Sequence, residues 1–456
     1  MDRAAIYSGN GKDLSPMSTT RRQFVQATLA SGSALGMLPA AEEKQEKQAP
    51  APKLRLGLIG PGGMGTAHLK LLVKRPDVEV TWIAEVDKNR LASAAEFVEK
   101  APNGKAPKTT NDLRQVLDDK SIDAVLIATP DHWHTPAALL ALDAGKHVYV
   151  EKPCSHNIRE GRLLVEAVNR TGKVLQVGTQ SRSTPTVREA IDRLKSGAIG
   201  EILCAKAWNS QRRGSIGKTK PAKPPETIDF SMWLGPTPET PYRSNMLPGN
   251  WRWWKAFGCG DIGNDGVHEL DIALWGLGAD RQPDRITGAG GKYFFDDDQE
   301  FADQMVCTYE WNPTGAAKER KMLVFEQRDW SPYVQEGYEN GNAWYGTKGM
   351  LILGKGSGWA LYGERNKKIE ERSGGIDLSA HHSNFFDAIR LGKAVNAPAI
   401  AGHLAASLAH FGNIAVQLGR TLEFDAKTEK FPKDSQADAL VRRPYREGHW
   451  AVPKGV

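Results

Sequence analysis

A short apolar run, Leu54 to Ile59, leads directly into Gly60-Pro61-Gly62-Gly63-Met64-Gly65, and Thr66 to Lys74 follows at helical spacing. Strand, glycine turn and helix in this order constrain the fold more than any other part of the chain. Gly60 permits a tight turn, Gly62 lets the backbone approach a pyrophosphate, and Gly65 lets the helix pack on the strand. The first N–H groups of the helix, at Gly63 and Met64, then stay free for phosphate oxygens. A second apolar strand, Val78 to Ala84, ends in Glu85, twenty residues after Gly65. A carboxylate there accepts hydrogen bonds from both ribose hydroxyls and repels a 2′-phosphate, which favours NAD over NADP. Asp87 stands close enough to compete for this role, and Lys88 and Arg90 are placed to meet a phosphate instead.

The alternation continues. Asp123 to Thr129 is a continuous apolar strand, as a parallel sheet buried on both faces requires, and it ends in Pro130-Asp131-His132-Trp133-His134. Lys146 to Val150 ends in Glu151-Lys152-Pro153, and Val174 to Gly178 supplies one more strand. Ligands collect at such carboxyl ends, so Thr129, Pro130, His134 and Glu151 are expected beside the cofactor. Beyond residue 181 the period changes: Ile202 to Ser210, Arg285 to Phe294, Met305 to Trp311, Met322 to Arg328 and Met350 to Leu353 read as strands without intervening helices. The expected fold is α/β, with an N-terminal doubly wound Rossmann domain followed by an α+β domain whose open sheet is mostly antiparallel. The expected divisions are a dinucleotide-binding domain over 53–180, a substrate domain over 181–425 and a C-terminal tail over 426–456.

At 456 residues the chain exceeds one ordinary domain. Its net charge of +6 is spread without runs of Lys and Arg, so no nucleic-acid footprint is expected and a small-molecule partner is. Cys154, Cys204, Cys259 and Cys307 form no C-x-x-C pair and read as buried thiols. His381, His382 and His403 lack ligand-spaced carboxylates and read as structural, so no metal is expected. At the front, Thr20-Arg21-Arg22-Gln23-Phe24-Val25 precedes a weakly apolar run to Leu38 and the small residues Ala40 and Ala41. This resembles a twin-arginine export signal over 1–41, with a polar linker over 42–52 and an extracytoplasmic, periplasmic destination.

Gly60 to Gly65, the strand ending in Glu85, the Thr129 to His134 loop and Glu151-Lys152-Pro153 together resemble the glucose-fructose oxidoreductase and inositol dehydrogenase family, Gfo/Idh/MocA. The resemblance implies that Lys152 lies beside the nicotinamide and bonds the reacting hydroxyl of a sugar, polyol or glycoside. A second matching tract, Gly258 to Asp271, carries His268 where similar proteins have a histidine. His268 is expected as the base, since imidazole titrates near neutrality. At helical spacing Asn264, His268 and Asp271 share one face. Many relatives have Asp at position 264; Asn keeps hydrogen bonding but cannot stabilise an imidazolium by charge, a role open to Asp265 or Asp271. Gln180 and Arg182 are placed to reach substrate or to lie in a solvated loop. Trp251, Trp253 and Trp254 read equally as a sugar-stacking platform or as core. The resemblance further implies C-terminal helices, His381 to Leu391 and His403 to Leu418, packed back on the first domain, and a homo-oligomer formed through the open sheet. Export in the folded state implies a tightly retained NAD. The alternative reaction is glycoside cleavage through transient oxidation and elimination, although the Tyr-Pro-Thr-His-Gly tract of relatives doing this is not found here.

Overall fold

The computed structural model describes residues 52–456 except Asn103 and Pro332, so the arginine pair and the expected signal region lie outside the described residues. Six strands, β1 (Leu54–Ile59), β2 (Val78–Ala84), β3 (Lys108–Thr110), β4 (Ala124–Ile127), β5 (His147–Val150) and β6 (Leu175–Val177), form one sheet in the order β3-β2-β1-β4-β5-β6. Every pair is parallel. All four residues of β4 are buried, which explains why this strand reads as an unbroken apolar run. The strand order reverses between β1 and β4, and the crevice at that switch point is where a doubly wound sheet holds its ligand.

The second sheet has nine strands: β7 (Ile202–Asn209), β8 (Arg285–Gly291), β9 (Gln304–Trp311), β10 (Lys321–Arg328), β11 (Asn340–Gly346), β12 (Gly349–Gly354), β13 (Gly358–Tyr362), β14 (Lys368–Ser373) and β15 (Leu422–Glu423). Its order is β14-β13-β12-β11-β7-β10-β9-β8-β15, antiparallel throughout except where β7 runs parallel to β10. That pair is parallel because the chain leaves the sheet between β7 and β8. The excursion corrects the expectation of strands without intervening helices: it contains the helices Phe230–Leu234 and Val267–Leu277. The second of these lies on the inner face of the sheet, where Asn342 donates to the Glu269 carbonyl (2.7 Å) and Trp344 to that of Ala273 (3.2 Å). Alternate residues of β9 and β10, Cys307, Tyr309, Leu323 and Phe325, complete this core.

Two C-terminal helices return to the first domain. Leu378–Leu391 places Phe385 and Phe386 in a cluster with Leu56, Leu58 and Tyr149. Ala399–Leu418 is long and apolar enough to cross a membrane, yet most of it is buried as a core helix between the helix Ile158–Thr171 and β8. The segment expected as a tail is part of the fold. Arg443 pairs with the buried Glu160 (2.8 Å) and also donates to the His132 carbonyl (2.7 Å), while Trp450 packs against Trp133 with ring centres 5.7 Å apart. All four cysteines are free thiols, with Cys154, Cys259 and Cys307 buried.

Candidate active site

At the carboxyl ends of the parallel strands lies a cavity of about 510 Å³, closed on its far side by Leu247 to Gly249, Trp251, Arg252 and Asn264 of the second domain. Its floor is the glycine turn. Gly60 has φ of +86°, and a Cβ there would lie 2.9 Å from the Ala128 backbone; one on Gly65 would lie 2.1 Å from the Gly60 carbonyl oxygen. Neither position admits a side chain. The helix Gly63–Leu72 begins with no side-chain cap, and its first residues, Gly63 and Met64, line the cavity, as an anion site at a helix start requires.

Gly62, Gly63 and Met64 line this end, and Gly65 sits beneath it. Glu85 lines the wall, and its Oε1 accepts from the backbone N–H groups of Val86 (2.8 Å) and Asp87 (3.0 Å). These bonds aim the carboxylate, although burial pushes its pKa upward. Asp87 is otherwise engaged: it caps the helix Lys88–Glu99 by accepting from Asn89 N–H (2.9 Å). Thr129 and Pro130 line the opposite wall. Thr129 Oγ1 is buried without a partner, as is Asp131 Oδ2. Burial raises Asp131's pKa, while charges on His134, Lys152 and Arg252 oppose the rise. An uncapped helix start, an orphaned hydroxyl and a strand-end carboxylate fit a dinucleotide at this end. His134 is a clamp: its ring nitrogens lie 2.6 Å from the Pro153 carbonyl and 2.8 Å from that of Thr129, tying the two loops together.

At the other end, Lys152 Nζ donates to the backbone carbonyl of Asn264. The Asn264 side chain accepts from Arg252 Nε (3.0 Å) and donates to Asp261 (3.0 Å), so this one residue ties Lys152, Arg252 and Asp261 together. Glu151 is fully buried. Burial alone would raise its pKa, but the hydrogen bond from His68 and the charges of His68, Lys152 and His268 outweigh that and hold it at about 2.

The shared helical face expected for Asn264, His268 and Asp271 does not exist. Residues Ile262–Gly266 form a π-turn, and the α-helix begins only at Val267. Glycines cause the wider turn to fit. A Cβ on Gly263 would lie 2.3 Å from that of Cys259, and one on Gly266 would meet the Phe325 ring at 2.7 Å. Asn264 therefore lines the cavity, His268 stands outside its lining, and Asp271 is turned away. Burial, then the charges of Lys355 and Lys152, hold His268 well below the ordinary imidazole range, and its Nδ1 is buried without a partner. Lys355 reaches this helix from the end of β12, bridging Asp265 (2.7 Å) and Glu269 (2.9 Å).

Gln180, Arg182, Trp254 and Asp271, the candidates for substrate contact, lie outside the cavity lining. Asp271 and Arg182 form a buried ion pair at 2.8 Å, with the guanidinium 5.0 Å over Trp275. Gln180 is buried, donating to Glu151 (2.8 Å) and the Tyr149 hydroxyl (3.2 Å). Trp254 is core, packed with Trp233, Met246 and Phe257, whereas Trp251 faces the cavity. Sequence reasoning passed over Arg252 and Asp131. Arg252 lay hidden inside a run read for its aromatics, and Asp131 beside two histidines. Among the described residues there is no cluster of metal-ligating side chains.

Comparison with known proteins accords with this geometry. Residues 54–179 match the model described as "Oxidoreductase family, NAD-binding Rossmann fold" of GFO_IDH_MocA, and residues 203–301 and 364–452 match its "C-terminal alpha/beta domain". A levoglucosan dehydrogenase from Pseudarthrobacter phenanthrenivorans is 30% identical over 230 residues, 49% of this chain and 51% of that protein. A glycosyl hydrolase family 109 protein from Stenotrophomonas maltophilia is 31% identical over 226 residues, 47% of each. The matches thus span about half the length of these relatives. A solved levoglucosan dehydrogenase in complex with NADH superposes with a TM-score of 0.60 at 21% identity, covering 81% of this chain and 99% of that one, and shares the fold. Two models of one family thus account for both halves of the molecule, and the chain belongs to the Gfo/Idh/MocA family of oxidoreductases.

Proposed function

We propose that the protein interconverts a secondary hydroxyl of a sugar, polyol or glycoside and the corresponding carbonyl by hydride transfer to NAD. The observation that carries this reading is Lys152. Its ammonium group stands on the wall of one cavity that contains both a dinucleotide-type glycine turn and a polar far side with Trp251 and Arg252. The nicotinamide, when bound, supplies the hydride acceptor. Lys152 orients and polarises the reacting oxygen, and Asn264 fixes Lys152 through its carbonyl. His268, expected as the base, is held neutral and stands outside the cavity lining, so it does not meet the reacting hydroxyl directly. Glu85 supports NAD over NADP, since its aimed carboxylate would repel a 2′-phosphate, although Arg90 also lines the cavity.

A screen of levoglucosan, myo-inositol, glucose and nitrophenyl glycosides, followed by reduced-nicotinamide absorbance and phenolate release, tests the reading. Absorbance growth without phenolate is the expected result. Phenolate release with no net reduction would replace it by oxidation-assisted glycoside cleavage, the reading favoured by the family 109 relative. Neither signal from any probe would refute both.

Arg21-Arg22 and the apolar run behind them support export of the folded protein by the twin-arginine route to the periplasm. A compartment poor in free NAD then requires the nucleotide to travel tightly bound. Periplasmic protein should release close to one dinucleotide per chain on denaturation, and empty but NAD-responsive protein would overturn this. Exposed Val306 and Met322, on neighbouring strands of the open sheet, support a homo-oligomer, which sedimentation would test.

A further inference from the structure

The reaction exchanges a proton as well as a hydride, and a chain of buried groups leads away from the cavity beside Lys152. Glu151 Oε1 lies 3.0 Å from His68 Nε2, and His68 Nδ1 lies 2.8 Å from His382 Nε2. The chain crosses from the end of β5, through the helix that begins at the glycine turn, to the helix Leu378–Leu391. All three side chains are buried, and the far atom, His382 Nδ1, has no partner.

Hydrogen-bond bookkeeping fixes the protons. With Glu151 ionised, only one assignment leaves no buried N–H unpaired: both imidazoles carry hydrogen on Nε2, His68 donating to Glu151 and His382 to His68. The orphan at the end is then an acceptor lone pair, a tolerable exception, whereas any other assignment strands a donor. A proton taken from solvent at His382 Nδ1 shifts its Nε2 proton to His68 Nδ1, and the His68 Nε2 proton to Glu151; in oxidation the same nitrogen returns the proton to solvent. One proton enters and one is presented at the cavity.

Resting on the hydride-transfer reading above, we infer that Glu151, His68 and His382 form a proton relay serving the interconversion of alcohol and carbonyl. In the reducing direction the carbonyl carbon gains hydride from the reduced nicotinamide. The oxygen gains the relayed proton from Glu151, which lines the cavity. Both imidazoles then return to their starting tautomer before the next turnover, and oxidation is the reverse sequence. Other groups facing the relay are Tyr149 and Gln180 at Glu151, Lys152 and His268 across the cavity wall, and Arg75 and His381 beside His382. Tyr149, His381 and Phe386 pack around the rings and fix their orientation.

The test uses the nucleotide-loaded full chain in single-turnover oxidation of levoglucosan, myo-inositol or glucose, following nicotinamide absorbance and proton release to a pH indicator. His382→Ala should slow proton release at least tenfold, enlarge the solvent deuterium effect, and recover with added imidazole. His68→Gln, which can still hydrogen-bond Glu151, should slow it as much without recovery. Proton release matching the parent, or a slowing equal at every pH and unrescued in His382→Ala, overturns the relay and leaves a packing role. Nitrogen-15 NMR of the parent is independent of turnover: Nε2–H forms at both histidines support the relay, and an Nδ1–H form at His382 overturns it. Should none of the three sugars react, the activity reading fails and the NMR result alone decides the relay.

Discussion

Replacing Arg182 by Met would leave Asp271 fully buried without its partner. Asp271 carries no solvent exposure, and both its oxygens lie 2.8–2.9 Å from Arg182 Nε. Removing one member of such a buried pair costs about 3–5 kcal/mol, because the surviving charge is uncompensated; loss of the guanidinium stacked on Trp275 adds about 1 kcal/mol. The deficit should depend on pH, and the sign follows from Asp271. Burial already raises its pKa and Arg182 opposes the rise, so removing Arg182 raises it further. A carboxyl whose folded-state pKa lies above its unfolded value favours folding only while protonated. The variant should therefore lie closest to the parent at acid pH and fall away as pH climbs through the raised value. Urea unfolding of both proteins between pH 4.5 and 8 measures the difference, with the double variant Arg182→Met/Asp271→Leu expected to regain most of the loss. A deficit below about 1 kcal/mol, or one that does not vary with pH, would refute the buried-pair account. A change in KM alone, with stability intact, would restore Arg182 to the substrate site.

Lys152→Ala should abolish turnover while nucleotide binding, read by fluorescence titration, survives; activity within about tenfold of the parent would remove Lys152 from the chemistry. Gly65→Ala should do the opposite and abolish nucleotide binding, since its Cβ would sit 2.1 Å from the Gly60 carbonyl oxygen; calorimetric titration with NAD checks it. Lys355→Met should move the titration of His268 upward, because the Lys355 charge is among the causes holding it down, and histidine NMR would show an unmoved resonance if this is mistaken.

The first domain was legible because its strands are buried on both faces and its turn admits only glycine at Gly60 and Gly65. β3 was missed: Lys108-Thr109-Thr110 is short, and only Thr110 is buried. β11 and β14 were missed for a related reason. Asn340-Gly341-Asn342 owes its place to hydrogen bonds made to other elements, and Lys368 to Ser373 is an exposed edge with no apolar alternation. In the site, local motifs located Lys152, Glu85 and the glycine turn. What failed was periodicity across Gly263 and Gly266, where a π-turn replaces the assumed 3.6-residue repeat and rotates Asp271 away from Asn264. Arg182 and Asp271 are 89 positions apart, so no local pattern announces their pairing. Gln180 likewise finds Glu151 only through the folded sheet.

Arg443 joins Glu160, Thr237 and the carbonyl of His132, which lies 311 positions earlier. The first turn of the helix Asp131–Asp143 thus acquires this support only after most of the chain has left the ribosome. A nascent first domain can form its sheet and glycine turn, but it lacks this tie across one wall of the nucleotide cavity. If the cavity takes a dinucleotide as proposed, removal of the residues from Arg443 onward should loosen nucleotide grip without touching a residue that lines the pocket.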